Sequence, residues 1–507
     1  MRFDVLGQYP IKNWTIILPK KKPSLSLQLR PRPPGASLFR WLYDEIRTAI
    51  VEGRLEPGTR LPSTRSIADQ HGIARGTVVA AFDQLATEGY VESGVGDGTF
   101  VRSMTTRARS KTPHLTLSAR GHTLVEHPFP QLWSNRNAET FQLDRPALDA
   151  FPLKLWGRLA ARRLRQAVPN LLTSSGIFGF RPLREAIAEY VGLRRGVKCT
   201  AREVVITTGT QQSLDLIGRL TLDPGDPVWM EDPGYAGATS LLRAVGAQVI
   251  GVPVDGAGID CEKVPRRNRR AKLVYVTPSC QFPLGLILSL ERRLALLRWA
   301  HQQGAWIFED DYDSQLQFSG RPLAALRSLD TEGHVVYSNS FNKMLFTSLR
   351  IGFLVLPPGL IDAVAAARSI LDRFPSVLDQ ATLCDFLTEG HMDQHMRRMR
   401  ELYESRLDTL ARAVQPDLDG VLQLKPGQGG LQVVGWLGEG IDELEACSEA
   451  AAQGINSVPL SKLTIDRKMP PALVLGVASA DVSAIRESVV RLGIVLRALQ
   501  HQHGTRR

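Results

Sequence analysis

Three stretches of this 507-residue chain combine residue types that can do chemistry. In Thr207-Thr208-Gly209-Thr210-Gln211-Gln212, small hydroxyl and glycine residues follow an apolar run and lead into a helical pattern through Leu214, Leu216 and Ile217. Free backbone N–H groups at such a helix start can cradle a phosphate, although an ordinary capped helix start uses the same residue types. In the second stretch, Trp306-Ile307-Phe308 runs into Glu309-Asp310-Asp311-Tyr312-Asp313. Side chains two apart share a strand face, so Asp310 and Tyr312 point together, and Glu309 with Asp311 the other way. A carboxylate beside a phenol suits an aromatic ligand with a ring nitrogen and a phenolic oxygen; an acidic cluster can also hold a metal or face solvent. In the third, the run Val335 to Tyr337 passes through Ser338-Asn339-Ser340-Phe341-Asn342 to Lys343, and Arg350 follows. A lysine forms an imine with an aldehyde once its neutral form is accessible, which burial beside cationic groups favours.

Taken in order, the phosphate cradle, Tyr235 in Glu231-Asp232-Pro233-Gly234-Tyr235, Asp310 with Tyr312, Lys343 and Arg350 are the parts that pyridoxal phosphate requires. Its pyridine nitrogen needs a carboxylate partner to act as an electron sink.

These residues must be held by buried strands. Beyond residue 120, β-rich apolar runs (204–207, 228–230, 248–254, 273–276, 306–308 and 335–337) alternate with longer helical patterns. Such alternation predicts an α/β domain, in which ligands sit at strand ends. His391 and His395 are four apart on an expected helix, but Arg397, Arg398 and Arg400 crowd them and no carboxylate completes a site, so no metal is expected.

The front of the chain reads differently. Leu38, Trp41, Leu42, Ile46, Ala49 and Ile50 recur at helical spacing before Gly53 and Pro57-Gly58. Ser63 can cap a second helix to Gln70, and Gly72-Ile73-Ala74 breaks before a third whose Val78, Val79, Phe82 and Leu85 are expected to face inward. Tyr90-Val91-Glu92, a glycine-rich turn and Thr99-Phe100-Val101 predict a hairpin wing. Arg75 and Thr77 fall at the start of the third helix, where a recognition helix meets base edges and phosphates, and Ser63 and Arg65 start the helix before it.

Charge follows this division. Residues 1–120 carry 18 Lys and Arg against 10 Asp and Glu, so most of the net +11 sits in the first quarter of the chain. That is the footprint of a nucleic-acid-binding module on a nearly neutral body, and a solvated basic face would have the same composition. Hydrophobic content of 43% with 22% charged residues excludes a wholly disordered or polytopic membrane chain. No run reaches the ~18 apolar residues of a membrane helix. Five scattered cysteines without a Cys-x-x-Cys pair, and Lys20-Lys21-Lys22 placed after rather than before the apolar Trp14 to Leu18, lead us to expect a reducing, cytoplasmic setting and no export signal.

The string from Gly53 to Arg65, then Arg75-Gly76-Thr77-Val78, Gly89-Tyr90 and Gly98-Thr99-Phe100-Val101, resembles the winged helix of GntR-type transcription regulators. The resemblance implies that Ser63, Arg65, Arg75, Thr77 and Gly98 meet DNA. The large domain resembles a fold-type I aminotransferase with a C-terminal α+β subdomain, and the whole chain resembles the MocR/GabR group, which fuses the two. It implies that Lys343 holds the cofactor as an aldimine, Asp310 pairs with the pyridine nitrogen, Tyr312 bonds the ring hydroxyl and Tyr235 stacks on the ring. Gly209, Thr210, Gln211, Ser340 and Arg350 would take the phosphate, and the stretch from Pro278 to Gly285 would line the cofactor's edge. The chain departs from the group at Cys280, Leu284, Gln315, Asn339 and Asn342, and has Val474 where an arginine would hold a substrate carboxylate.

The expected organisation is a basic arm (1–36), a winged helix (37–102), a linker (103–120) and an aminotransferase-like domain (121–500) whose small subdomain begins near 375. The expected function is a homodimeric regulator that binds double-stranded operator DNA and senses a small amine or amino acid through pyridoxal phosphate. A working aminotransferase with an appended DNA-binding domain, and a regulator whose large domain only dimerises, are the alternatives.

Overall fold

A computed structural model describes residues 27, 29–94, 97–103, 116–130, 140–143, 145–166, 176–317, 323–373, 375–425, 427 and 429–504. The chain divides into two compact units, Met1–Thr116 and Leu117–Arg507. The basic arm expected over 1–36 lies mostly outside the described residues. So does most of the stretch 103–120, whose last two residues open a helix, Ala119–Glu126.

In the first unit, helices α1 (Leu38–Val51), α2 (Thr64–His71) and α3 (Arg75–Thr87) precede a hairpin of β1 (Val91–Gly94) and β2 (Gly98–Val101). Leu42, Ile46, Ile67, Val78, Phe82 and Leu85 are buried together. Val79, expected inward, is 37% exposed, and Leu38 equally so. In a helix the residue next to a buried one is turned by about 100°, so Val78 occupies the core and Val79 leaves it. Ser63 caps α2 by accepting a 3.1 Å bond from the Ser66 N–H, worth roughly 1 kcal/mol. Gly72 ends it at φ 62°, the left-handed conformation that turns the chain into α3.

The second unit is built on a sheet of β3 (Val204–Thr207), β4 (Pro227–Asp232), β5 (Gln248–Asp255), β6 (Gly258–Ile259), β7 (Leu273–Val276), β8 (Trp306–Asp310), β9 (Val335–Ser340) and β10 (Gly352–Val355). The spatial order is β3-β10-β9-β8-β7-β4-β5-β6. Strands β5, β4, β7, β8 and β9 run parallel, and β10 inserts antiparallel between β9 and β3. Every residue of β3, β7, β9 and β10 is buried, as strands covered on both faces are. A second, antiparallel sheet joins β11 (Leu422–Lys425), β12 (Gln432–Leu437), β13 (Val458–Pro459) and β14 (Ala472–Gly476) in the order β11-β12-β14-β13. Helices His391–Asp417, Glu443–Ala452 and Val482–Gly504 share its core. Among the described residues no helix is long and apolar enough to cross a membrane.

Candidate functional site

The carboxyl ends of β4, β7, β8 and β9 open onto a cavity of about 390 Å³. It is lined by Phe129, Leu143, Thr210, Gln211, Tyr235, Tyr275, Thr277, Phe282, Asp310, Tyr312, Ser340, Asn342, Lys343, Thr347 and Arg350. Eight of the nine residues expected around a cofactor are therefore on one surface, brought from five separate strand ends and loops. The ninth, Gly209, stands just behind. It has φ 130°, and a Cβ there would lie 3.0 Å from Asn342 Nδ2, 3.7 Å from an Arg350 nitrogen and 3.8 Å from Ser340 Oγ. The glycine thus keeps clear a recess into which an amide, a guanidinium and a hydroxyl converge, followed at once by the start of helix Thr210–Thr221. That donor set fits a phosphate. Arg350 itself is held at φ 52°, a conformation that costs a non-glycine residue about 1–3 kcal/mol and is retained where the surroundings dictate it.

Alternation along β8 divides its acidic end as the sequence predicts. Asp310 and Tyr312 face the cavity. Glu309 turns away and accepts the Leu326 and Arg327 backbone N–H groups, each at 2.7 Å. Asp311 pairs with Arg195 at 2.7 Å, both side chains almost fully buried. The acidic run is therefore no metal cluster: its members serve separate partners, and no metal-binding group of His, Cys, Asp or Glu occurs among the described residues. His395 likewise bonds the Met344 carbonyl at 2.9 Å.

Burial raises the Asp310 carboxyl to about 6, against the hydrogen bond from Tyr275 and the charge of Lys343, both of which favour ionisation. Tyr275 donates at 2.6 Å and the Thr210 hydroxyl lies 3.4 Å away. A cationic ring nitrogen placed against Asp310 would restore its charge. Lys343 Nζ sits 4.3 Å from the Tyr312 ring centroid and 5.9 Å from that of Phe282. It makes no hydrogen bond or ion pair to a described residue, so the amine is presented to the cavity rather than spent on structure. Tyr312 accepts from Gln432 at 3.1 Å, and burial pushes its phenol well above its ordinary range. Tyr235 accepts from Gln211 at 3.2 Å and meets the Phe282 ring edge-on, centroids 6.0 Å apart.

The departures have definite places. Asn342 turns its amide nitrogen toward the Gly209 recess while its oxygen accepts the Ile351 N–H at 3.0 Å. Cys280 is buried 3.9 Å from the Tyr312 hydroxyl, and its thiol is pushed up to about 12 by burial. Gln315 accepts from Tyr190 at 2.5 Å. From the stretch 278–285, Phe282 reaches the cavity, and Thr277, just before it, does too. Sequence reading missed Tyr275, Thr277, Thr347, Phe129 and Leu143. Only Tyr275 carried a signal, as a polar tip inside an apolar strand.

In the first unit, Arg65 and Arg75 are exposed and Thr77 is half-buried at the start of α3. Neither arginine has an ion-pair partner among the described residues. Gly98, at φ 98°, brings the wing against Arg60: a Cβ there would be 2.8 Å from Arg60 Nε. The segment 58–61 adds to the wing as a third edge, through Leu61 N–H to Thr99 O at 2.8 Å and Val101 N–H to Thr59 O at 2.9 Å. This edge was not anticipated.

Residues 40–101 match the model of bacterial regulatory proteins of the GntR family, and residues 152–492 match aminotransferase class I and II. A probable rhizopine catabolism regulatory protein MocR from Rhizobium meliloti is 37% identical over 92% of this chain and 96% of its own length. The chain belongs to the MocR-type group of GntR regulators. A second member, the HTH-type transcriptional regulator TauR of Rhodobacter capsulatus, is 32% identical over 94% of this chain and 99% of its own. The large unit of this MocR-type chain is similar to LysN, the alpha-aminoadipate aminotransferase of Thermus thermophilus, with TM-score 0.67 and 30% identity over 72% of this chain and 94% of that one. That structure is complexed with N-(5'-phosphopyridoxyl)-L-leucine. This MocR-type chain is thus a transcription regulator with a GntR winged helix and an aminotransferase-like domain of mixed sheet.

Proposed function

We propose that this regulator, acting in the cytoplasm as a homodimer on an operator, holds pyridoxal phosphate in the cavity of its large unit and senses a small amine or amino acid there. The observation that carries the reading is the Lys343 amine, without a hydrogen-bond or ion-pair partner among the described residues and 4.3 Å from the Tyr312 ring centroid, in one cavity with Asp310 and Arg350. Bound there, the cofactor supplies an aldehyde and a pyridine ring that acts as an electron sink. Lys343 is the amine placed to link to it, and Asp310 holds the proton of the ring nitrogen. Tyr312 binds the ring hydroxyl, and Tyr235 covers the ring. Thr210, Gln211, Ser340, Asn342 and Arg350 take the phosphate around the recess left by Gly209. On the DNA side, Ser63, Arg65, Arg75, Thr77 and the wing at Gly98 contact the duplex. An effector that binds one arrangement of the dimer better than another shifts operator affinity by that difference.

The test is the visible absorbance of purified protein incubated with pyridoxal phosphate and dialysed, with and without borohydride. A retained yellow species that borohydride fixes to the chain, and that Lys343→Ala abolishes, is expected. Colourless wild-type protein would remove the cofactor from the mechanism and leave the large unit a dimerisation domain.

A further inference from the structure

The cavity has two chemically different ends. At one, Arg350 and Ser340 converge with Asn342 on the Gly209 recess. At the other, Leu143, Phe282 and Tyr312 form the wall and belong to one apolar cluster with Val434, Leu460 and Val474. Val474 is fully buried on β14, in register with Val434 of β12 and Val458 of β13. This wall is therefore braced by paired strands.

Among the described residues that line the cavity, Lys343 and Arg350 are the two cations. With Arg350 committed to the phosphate and Lys343 to the aldehyde, neither remains for a further anion. Among the described residues, a ligand carboxylate at the apolar end would find no charged or bidentate partner in return for its lost water, a net cost. An apolar body there would be buried against aromatic and branched side chains, which is favourable.

We propose that the sensed ligand is a primary amine without a carboxylate, carrying an apolar body that fills the Leu143 and Phe282 end. This rests on the reading of the cavity as a pyridoxal phosphate site. It narrows the effector from any amine or amino acid to one class, with Leu143 and Phe282 on the cavity wall as residues that set the preference.

Full-length protein loaded with pyridoxal phosphate is titrated calorimetrically with two pairs that differ only by the carboxylate: 3-methylbutylamine against leucine, and 2-phenylethylamine against phenylalanine. Each amine is expected to bind at least tenfold more tightly than its amino acid. Leu143→Arg, on the cavity wall, is expected to shrink that ratio tenfold or reverse it; Phe282→Arg, on the same wall, serves the same purpose if the first substitution prevents folding. An amino acid that binds wild type as tightly as its amine overturns the proposal, as does binding by neither member of either pair to visibly loaded protein. Failure to take up pyridoxal phosphate, read from absorbance before any amine is added, overturns the cofactor reading and this proposal with it.

Discussion

Tyr275 and Asp310 are joined by a 2.6 Å hydrogen bond across two adjacent parallel strands, the phenol donating from β7 to the carboxylate at the end of β8. Burial raises the Asp310 carboxyl to about 6, and the Tyr275 bond holds it from rising further. Below that pH Asp310 is protonated and cannot balance a pyridinium, so pyridoxal phosphate affinity is expected to fall as pH drops through about 6. Tyr275→Phe removes a bond that favours the ionised form and moves the fall to higher pH. The linkage to stability runs the opposite way: an acid whose native value lies above its unfolded one binds its proton more tightly when folded. Cofactor-free protein therefore gains stability from this group as pH falls from about 6 toward the ordinary carboxylate range. Absorbance titrations of both proteins between pH 5 and 8, with parallel thermal melts, separate the two trends.

Gly209→Ala should cost cofactor affinity more than fold. Its Cβ would sit 3.0 Å from Asn342 Nδ2 at φ 130°, a region that alanine avoids at a cost of about 1–3 kcal/mol. The amide and guanidinium that converge on the recess must then shift. A drop of at least tenfold in pyridoxal phosphate affinity with a melting temperature lowered by only a few degrees is expected; unchanged affinity would show that the recess does not take the phosphate.

How much of this site could be seen in the sequence depends on where each residue's signal lies. Asp310 and Tyr312 were legible because strand alternation is local, and the same rule sent Glu309 and Asp311 to the helix Leu326–Leu329 and to Arg195. Lys343 was legible only as part of an ordered set. Phe129 and Leu143 reach the cavity from outside the sheet, and nothing beside them in the chain marks that destination. Strand β10 was hidden because Gly352–Val355 runs directly into Leu356-Pro357, so its antiparallel insertion between β9 and β3 is a tertiary fact. The four strands of the small sheet were expected only as a subdomain. Val79 went wrong because helical spacing allows several apolar faces, and packing against α1 selects one.

Asp311→Ala is expected to destabilise the large unit by roughly 3–5 kcal/mol, the usual cost of leaving one member of a buried ion pair unpartnered. Asp311 accepts from Arg195 at 2.7 Å, from Tyr337 at 2.6 Å and from Ser314 at 2.8 Å. Its loss strands three buried donors beneath the cavity. Denaturant unfolding should show the large transition moving while that of the winged helix stays in place; a shift below about 1 kcal/mol would mean that water replaces the carboxylate freely.

DNA binding offers the sharpest separation of the two units. Arg65 and Arg75 are exposed, without ion-pair partners among the described residues, and lie in the first turns of α2 and α3. Each that meets a phosphate releases counterions, so removing it lowers the slope of log affinity against log salt by about 1. Arg65→Ala and Arg75→Ala should each weaken duplex binding by about tenfold at 0.1 M salt, and a base contact by Arg75 would add a loss of sequence preference worth ~1–3 kcal/mol. Neither change should alter pyridoxal phosphate uptake, because the cavity is built wholly from the second unit. Fluorescence anisotropy on a labelled operator at three salt concentrations measures affinity and slope together. If the charge-removed proteins bind the operator as tightly as wild type, with the same slope, the duplex is not read by the first turns of α2 and α3.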